Sequence, residues 1–252
     1  VFVRTLALLI AAVLLPMRQG PAPTAITVSA AVSLSDALTA IADEYAHRSP
    51  GTIHFDFGAS NILARQIVSG APVDVFISAD DAQMDVVAAA NLIKDGSRVS
   101  LLRNQLAVVV PNDRQQTFRS IRDLTDPAFK KIAIGDPAAV PAGVYAKQYL
   151  EAQGLWNAIQ PRVVPTGSVR EALAAVESGA ADAAIVYRTD ARIALRATVA
   201  WVVAAADGPR IVYPGAIIRT SKSPDAAQRF LDFLRGDDAS RAFQRFGFSP
   251  IK

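Results

Sequence analysis

The chain has 252 residues, enough for one large domain or two smaller ones, each with its own core. A content of 51% hydrophobic and 19% charged residues excludes disorder, and the lack of cysteine excludes a disulfide scaffold, thiol catalysis, a zinc–thiolate site and a lipid-modified N-terminal cysteine. The formal net charge of +3 falls to +1 (24 basic against 23 acidic residues) without residues 1–25, so the chain carries no electrostatic footprint for nucleic acid, and it has no arginine-rich run.

Residues 1–25 read as a secretory signal peptide. Arg4 precedes the apolar run Leu6–Leu15, Pro16 breaks it, and GPAPTA supplies small residues for cleavage near Ala25. The alternative reading is an N-terminal membrane anchor, but the run is short for a bilayer. Ile26–Ala30 then reads as a buried strand that turns at Ser33 into a helix from about Leu34 to His47. Leu34, Leu38, Ile41 and Tyr45 lie on one face of that helix. Ser33 stands where it can cap the helix beside the free amides of its first turn, which makes the junction an anion site in waiting.

Ser49-Pro50-Gly51 stops the first helix, and Thr52–Phe57 alternates as a strand. Gly58 to Asn61 is a tight loop holding Ser60, and the helix Ile62–Ser69 follows, closed by Gly70. This second strand–serine–helix junction repeats the first. Val73–Ser78 is a buried strand, and Asp80 or Asp81 caps the next helix. Leu106–Val110 is again a buried strand, with a short helix near Ser120–Leu124 beyond it. Lys131–Gly135 leads through a two-proline loop to the helix Val144–Gln153. The prolines leave Ala142 and Gly143 offering amides, which is the third junction. Arg162–Pro165, the turn Thr166-Gly167-Ser168 and the helix Val169–Ser178 make the fourth. Ala183–Tyr187 is a buried strand with Tyr187 at its end. Strands at Thr198–Val203 and Ile211–Ile218 follow, the second broken at Pro214-Gly215. Two last helices cover Pro224–Arg235 and about Asp237–Phe246.

Regular alternation of strand and helix predicts an α/β protein with parallel sheets covered on both faces. Ligands of such sheets bind beyond the carboxyl ends of the strands, where these junctions lie. No linker separates two domains, so two domains must share interleaved chain. Leu106–Val110 and Tyr213–Ile218 are the candidate crossings.

Ser33, Ser60, Ala142, Val169 and Tyr187 supply hydroxyls and helix-start amides, and none is basic. Such a donor set holds a fully ionised tetrahedral oxyanion, whereas a protonated phosphate would need an acceptor. Spacing alone leaves open that all four junctions are ordinary caps and that Tyr187 closes the core. Arg170 reads as a loop brace rather than a ligand contact. His47 and His54 lack metal-ligand spacing, and neither serine has an evident activating base. No nucleophile elbow, P-loop or dinucleotide fingerprint occurs.

Five stretches, AAVSLSDAL (Ala30–Leu38), FGASNILARQIVSGAPVDVFISAD (Phe57–Asp80), GDPAAVPAGVYAKQYL (Gly135–Leu150), SVREALAAVESG (Ser168–Gly179) and IVYRTDA (Ile185–Ala191), resemble the periplasmic molybdate-binding proteins of ABC transporters. The similarity runs in order through RFGFSPIK at the C-terminus. It implies a type II periplasmic-binding-protein fold with two α/β lobes, each a mostly parallel sheet flanked by helices, joined by two crossovers. The lobes would be residues 26–105 with 214–252, and 106–213. It implies molybdate, and with it tungstate, held between Ser33 and Ser60 of one lobe and Ala142, Val169 and Tyr187 of the other. It further implies an exported, monomeric carrier that serves a membrane permease, with no cofactor, no metal-cation ligand and no catalysis. This sequence departs from the pattern at Gly58-Ala59 and Asn61, where relatives are often serine-rich, and at Ser168, where some carry an acid. The rivals are a carrier of another oxyanion such as sulfate, a regulatory effector domain, and an enzyme using Ser33 or Ser60.

Overall fold

The computed structural model describes residues 25–49, 51–114 and 118–251. The expected signal segment therefore lies outside the described residues, apart from Ala25, as does Pro50 of the first helix stop. Among the described residues no helix is long and apolar enough to cross a membrane.

The elements in chain order are β1 (Ala25–Ala31), α1 (Ser35–Ala46), β2 (Thr52–Gly58), α2 (Ser60–Val68), β3 (Val75–Ile77), α3 (Asp81–Ala89), β4 (Val99–Asn104) and β5 (Leu106–Pro111). They continue as β6 (Ile132–Gly135), α4 (Pro141–Ala152), α5 (Trp156–Ile159), β7 (Val163–Thr166), α6 (Val169–Glu177), β8 (Ala183–Tyr187) and α7 (Arg188–Arg192). The chain closes with β9 (Ala197–Val202), β10 (Ile211–Ile217), α8 (Pro224–Arg235), α9 (Asp237–Arg245) and β11 (Ser249–Pro250).

Two sheets result. One has the order β11-β4-β10-β3-β1-β2 and the other β7-β6-β8-β5-β9. Each is mixed rather than mostly parallel. β1, β2 and β3 run parallel, but β10 pairs antiparallel with both β3 and β4. Likewise β6 is parallel to β7 and β8, while β5 is antiparallel to β8 and β9. The physical reason lies in the crossings. A strand that enters a sheet from the other unit has no covering helix to reverse it, so it pairs antiparallel.

β4 ends at Asn104 in the first sheet and β5 begins at Leu106 in the second, so Gln105 alone carries the chain across. The return was expected at the break in Tyr213–Ile218. Instead β10 is one continuous strand that pairs with β4 from Ile211 onward, so the chain has crossed back before Ile211 and not at 213/214. Pro214 does not end the strand. A register shift between Tyr213 and Pro214 absorbs the missing donor, and this is how a central strand tolerates proline.

Helix faces follow the sequence. Leu38, Ile41 and Tyr45 of α1 are buried, as are Val169, Ala172, Leu173 and Val176 of α6. Each large side chain so buried contributes about 1.5–3 kcal/mol. β8 is buried at every position, as a strand covered on both faces must be. Gly154 and Gly179 take φ of +68° and +76° just past α4 and α6, where only glycine enters the left-handed region without strain.

Candidate functional site

All four junctions converge. Ser33, Ser60, Ala142, Val169 and Tyr187 line one small cavity, with Ala31, Val32, Ala79, Val140 and Pro141 completing its wall. The first sheet's elements bring Ser33, Ser60 and Ala79; the second sheet's bring Ala142, Val169 and Tyr187. The cavity therefore lies between the two units. The cavity is small, about 20 Å³, which excludes a sugar or a peptide. No lining side chain is charged.

Ser33 and Ser60 do not cap their helices, a role that spacing alone had left open. Ser33 sits in a single 3₁₀ turn, Val32–Leu34, that precedes α1, and its side chain makes no cap. Its Oγ lies 3.0 Å from the Tyr213 hydroxyl. Ser60 is the first residue of α2, with Ala59 at the N-cap, and its Oγ accepts the Ala79 N–H at 2.9 Å. Its own O–H is thereby left for the cavity. A true cap does form at the fourth junction, where Ser168 Oγ accepts from Glu171 N at 3.2 Å. At the third strand, Asp80 caps α3 through Gln83 N at 2.9 Å, which decides between the two aspartates considered.

The amides are held open by their surroundings. α4 begins at Pro141 rather than Val144, because proline is at home in the first helical turn. Ala142 is then the second helical residue and has no carbonyl four residues back to bond. Asp136 does not reach the site: its Oδ1 accepts from Ala138 N at 2.9 Å. Around α6, the Glu171 carboxylate folds back on Gly167 N (2.8 Å) and Ser168 Oγ (3.2 Å), which leaves the first helical amide, Val169, to the cavity.

Arg170 is a brace, as the sequence suggested. Its Nε bonds Asp190 Oδ1 at 2.5 Å and its Nη2 bonds Asp36 Oδ2 at 2.6 Å. One guanidinium thus ties α6, the Asp190 beneath it and α1 of the other unit. Asp190 is fully buried, and desolvation pushes its pKa up to about 6 although Arg170 pulls the other way. Asp36, more open, is held below the usual carboxylate range by Arg170 despite some burial. Tyr187 is buried, its hydroxyl has no hydrogen-bond partner among the described residues, and burial raises its pKa well above the ordinary phenol value. It is therefore a protonated donor lining the cavity with nothing to donate to. An unmatched buried donor costs about 1–3 kcal/mol, which a bound acceptor would recover.

Three residues escaped the sequence. Ala79 lies between β3 and α3, at a junction of the same type, and that repetition was a usable signal. Tyr213 and Asn104 had none, because Tyr213 reaches Ser33 from 180 positions away and Asn104 reaches Tyr213 from 109, across strands whose order the sequence does not state. His47 and His54 lie outside the cavity, and no group of three metal-ligating side chains occurs among the described residues.

Residues 26–249 match the family model for bacterial extracellular solute-binding proteins. The molybdate-binding protein ModA of Escherichia coli K12 is 36% identical over 228 residues, 89% of this chain and 88% of that one. The periplasmic molybdate-binding protein of Azotobacter vinelandii superposes with a TM-score of 0.81 at 25% identity, covering 90% of this chain and all of that one (100%). The sulfate-binding protein SubI of Mycobacterium tuberculosis superposes with a TM-score of 0.80, over 91% and 88% of the two chains, but at 19% identity it speaks for the fold alone. The fold agrees with these comparisons, and the chain belongs to the bacterial extracellular solute-binding protein family, alongside the ModA proteins.

Proposed function

We propose that this chain captures molybdate, and with it tungstate, in the cavity between two lobes and delivers it to a membrane permease of the ABC type. The lobes are residues 26–105 with 211–252, and 106–210. The observation that carries the reading is the all-donor, uncharged cavity with its unpartnered Tyr187 hydroxyl. Three hydroxyls (Ser33, Ser60, Tyr187) and the helix-start amides of Ala142 and Val169 surround it, and each charge-assisted bond to a dianion contributes about 1.5–3 kcal/mol. Helix N-termini add partial positive charge without a cation that would fix the anion too tightly to release. Ser33 and Ser60 have no base beside them, so the site binds and does not catalyse. Residues 1–25 serve as the export signal, and the carrier works as a monomer in the periplasm.

Ser33→Ala and Tyr187→Phe are each expected to weaken molybdate binding by about tenfold or more, as loss of one buried charge-assisted donor requires. Isothermal titration checks this, and wild-type affinity in either variant removes that residue from the site.

Thermal unfolding with molybdate, tungstate, sulfate and phosphate in turn tests the whole reading. A ligand at about 100 times its dissociation constant adds about 2.7 kcal/mol. Stabilisation by molybdate and tungstate alone is the expected result. Stabilisation by sulfate alone would keep the donor cavity and move the cargo to the smaller dianion, and no stabilisation by any of the four would end the reading.

A further inference from the structure

We infer that Asn104 and Tyr213, neither of which lines the cavity, are positioning residues that fix the direction of the Ser33 hydroxyl and so make the site select unprotonated oxyanions. This rests on the oxyanion reading above and adds a specificity mechanism to it.

The chain of donors can be followed from one fixed end. The Gln105 N–H, at the one-residue crossing between the sheets, donates to Asn104 Oδ1 at 2.9 Å. That bond sets which way the Asn104 amide faces, because a backbone N–H needs an acceptor. Both Nδ2 protons are then committed, one to Thr189 Oγ1 at 2.9 Å and one to Tyr213 Oη at 3.2 Å. Tyr213 is completely buried, and its oxygen is already an acceptor. Its single proton has one partner in reach, Ser33 Oγ at 3.0 Å. Donation the other way would leave the Tyr213 proton buried and unmatched, the arrangement folded proteins avoid. The order is therefore Gln105 N–H to Asn104, Asn104 to Tyr213, Tyr213 to Ser33. Ser33 receives a proton from behind and presents its own to the cavity.

Ser60 is set in the same sense by a different device, the Ala79 N–H on its Oγ. The Tyr187 hydroxyl has no partner among the described residues, so its proton is free for the cavity. Every hydroxyl at the cavity is thus turned to donate. An anion that carries a proton, such as hydrogen phosphate, brings a donor to a site whose two serine oxygens each already accept a hydrogen bond, whereas molybdate and sulfate bring acceptors only. Asn104 also touches both units, Thr189 beside Tyr187 and Tyr213 beside Ser33. The polarity is therefore set from the crossover itself.

Asn104→Asp inverts the relay with no change in shape. The new carboxylate still accepts from Gln105 N–H, but it now accepts from Tyr213 and Thr189 as well. Tyr213 Oη then becomes an acceptor for Ser33, whose lone pair turns to the cavity. The test measures affinities for molybdate, sulfate and hydrogen phosphate by titration near pH 8 in the parent, Asn104→Asp and Tyr213→Phe. Far-ultraviolet circular dichroism checks the fold. All three anions are essentially doubly charged there, so the added charge weakens them alike and cancels in the ratio. The expected result is a preference for molybdate over hydrogen phosphate that falls at least about tenfold in Asn104→Asp. In Tyr213→Phe, which frees the Ser33 rotor without adding charge, it falls by a smaller factor. Uniform weakening of all three anions, with the ratio kept in both variants, would mean a merely structural role and overturn the relay while leaving the oxyanion reading intact. A parent chain that binds none of the three would overturn both. If Asn104→Asp does not fold, the ratio in Tyr213→Phe decides alone.

Discussion

Replacing Arg170 by alanine is expected to destabilise the chain by about 3–5 kcal/mol near pH 8, and by much less near pH 5. The loss comes from Asp190, which is fully buried and keeps one carboxylate oxygen unpartnered even with Arg170 in place. Without the guanidinium at 2.5 Å it becomes a lone charge in the interior. The sign of the pH dependence follows from the folded pKa. Desolvation raises it to about 6 from the ordinary aspartate value of 3.8, so between those values the folded chain holds a proton that the unfolded chain has released. Stability therefore falls as pH rises through this window, already in the parent. Losing Arg170 raises the folded pKa further and extends the window upward. Below it, Asp190 is neutral in parent and variant alike, and only packing and the Asp36 contact are lost. Denaturant unfolding at several pH values checks this. A pH-independent loss would show that Asp190 is not the group responsible. The Asp36 arm should matter far less for stability, because that carboxylate is partly open to solvent and such pairs are worth about 0–1 kcal/mol. Its role is geometric, since it joins α6 of one unit to α1 of the other beside the cavity.

Gly143→Ala should abolish tight anion binding while costing about 1–3 kcal/mol of stability. A β-carbon at Gly143 would stand 1.8 Å from the Gly135 carbonyl oxygen, 2.4 Å from its carbon and 2.8 Å from the Asp136 oxygen. All three are backbone atoms, so no side-chain rotation relieves the clash. The N-terminal turn of α4 has to move by more than about an ångström, and that turn carries the Ala142 amide. Small displacements at a site of this size remove hydrogen bonds rather than stretch them. Gly154→Ala at the other end of the same helix is the control. Alanine there meets no atom within 4 Å but must hold a φ of +68°. It should cost about 1 kcal/mol and leave the affinity unchanged. Calorimetric titration with molybdate separates the two. Equal losses of affinity would mean that α4 acts through its stability and not through its approach to β6.

Much of the site was legible in advance, for a local reason. A strand that stops at a serine, glycine or proline and turns into a helix announces the junction in consecutive residues. Four such junctions in an α/β chain lie at strand ends, where ligands bind. Ser33, Ser60, Ala142, Val169 and Tyr187 were found this way, and they do line one cavity. The helix faces of α1 and α6 and the buried run of β8 were also local, because periodicity reports burial directly.

What failed was whatever depends on a distant partner. The sequence showed the strands of β5 and β10 but not their antiparallel direction, since direction is a property of the pair. β4 was missed because its burial does not alternate, and β11 because two residues carry no period. Pro214 looked like a break, and only the β4 partner shows it as a register shift within one strand. The hydroxyl directions are the sharpest instance. Sequence placed Ser33 at a helix start where it can cap, the role a serine takes there on local grounds. Tertiary structure brings Tyr213 to its Oγ from 180 positions away and Asn104 behind Tyr213. The sequence by itself therefore placed Ser33, Ser60, Ala142, Val169 and Tyr187 at strand ends and showed that none of them is charged. Only the folded chain decided which way their protons point, because a hydroxyl rotor takes its direction from its neighbours in space.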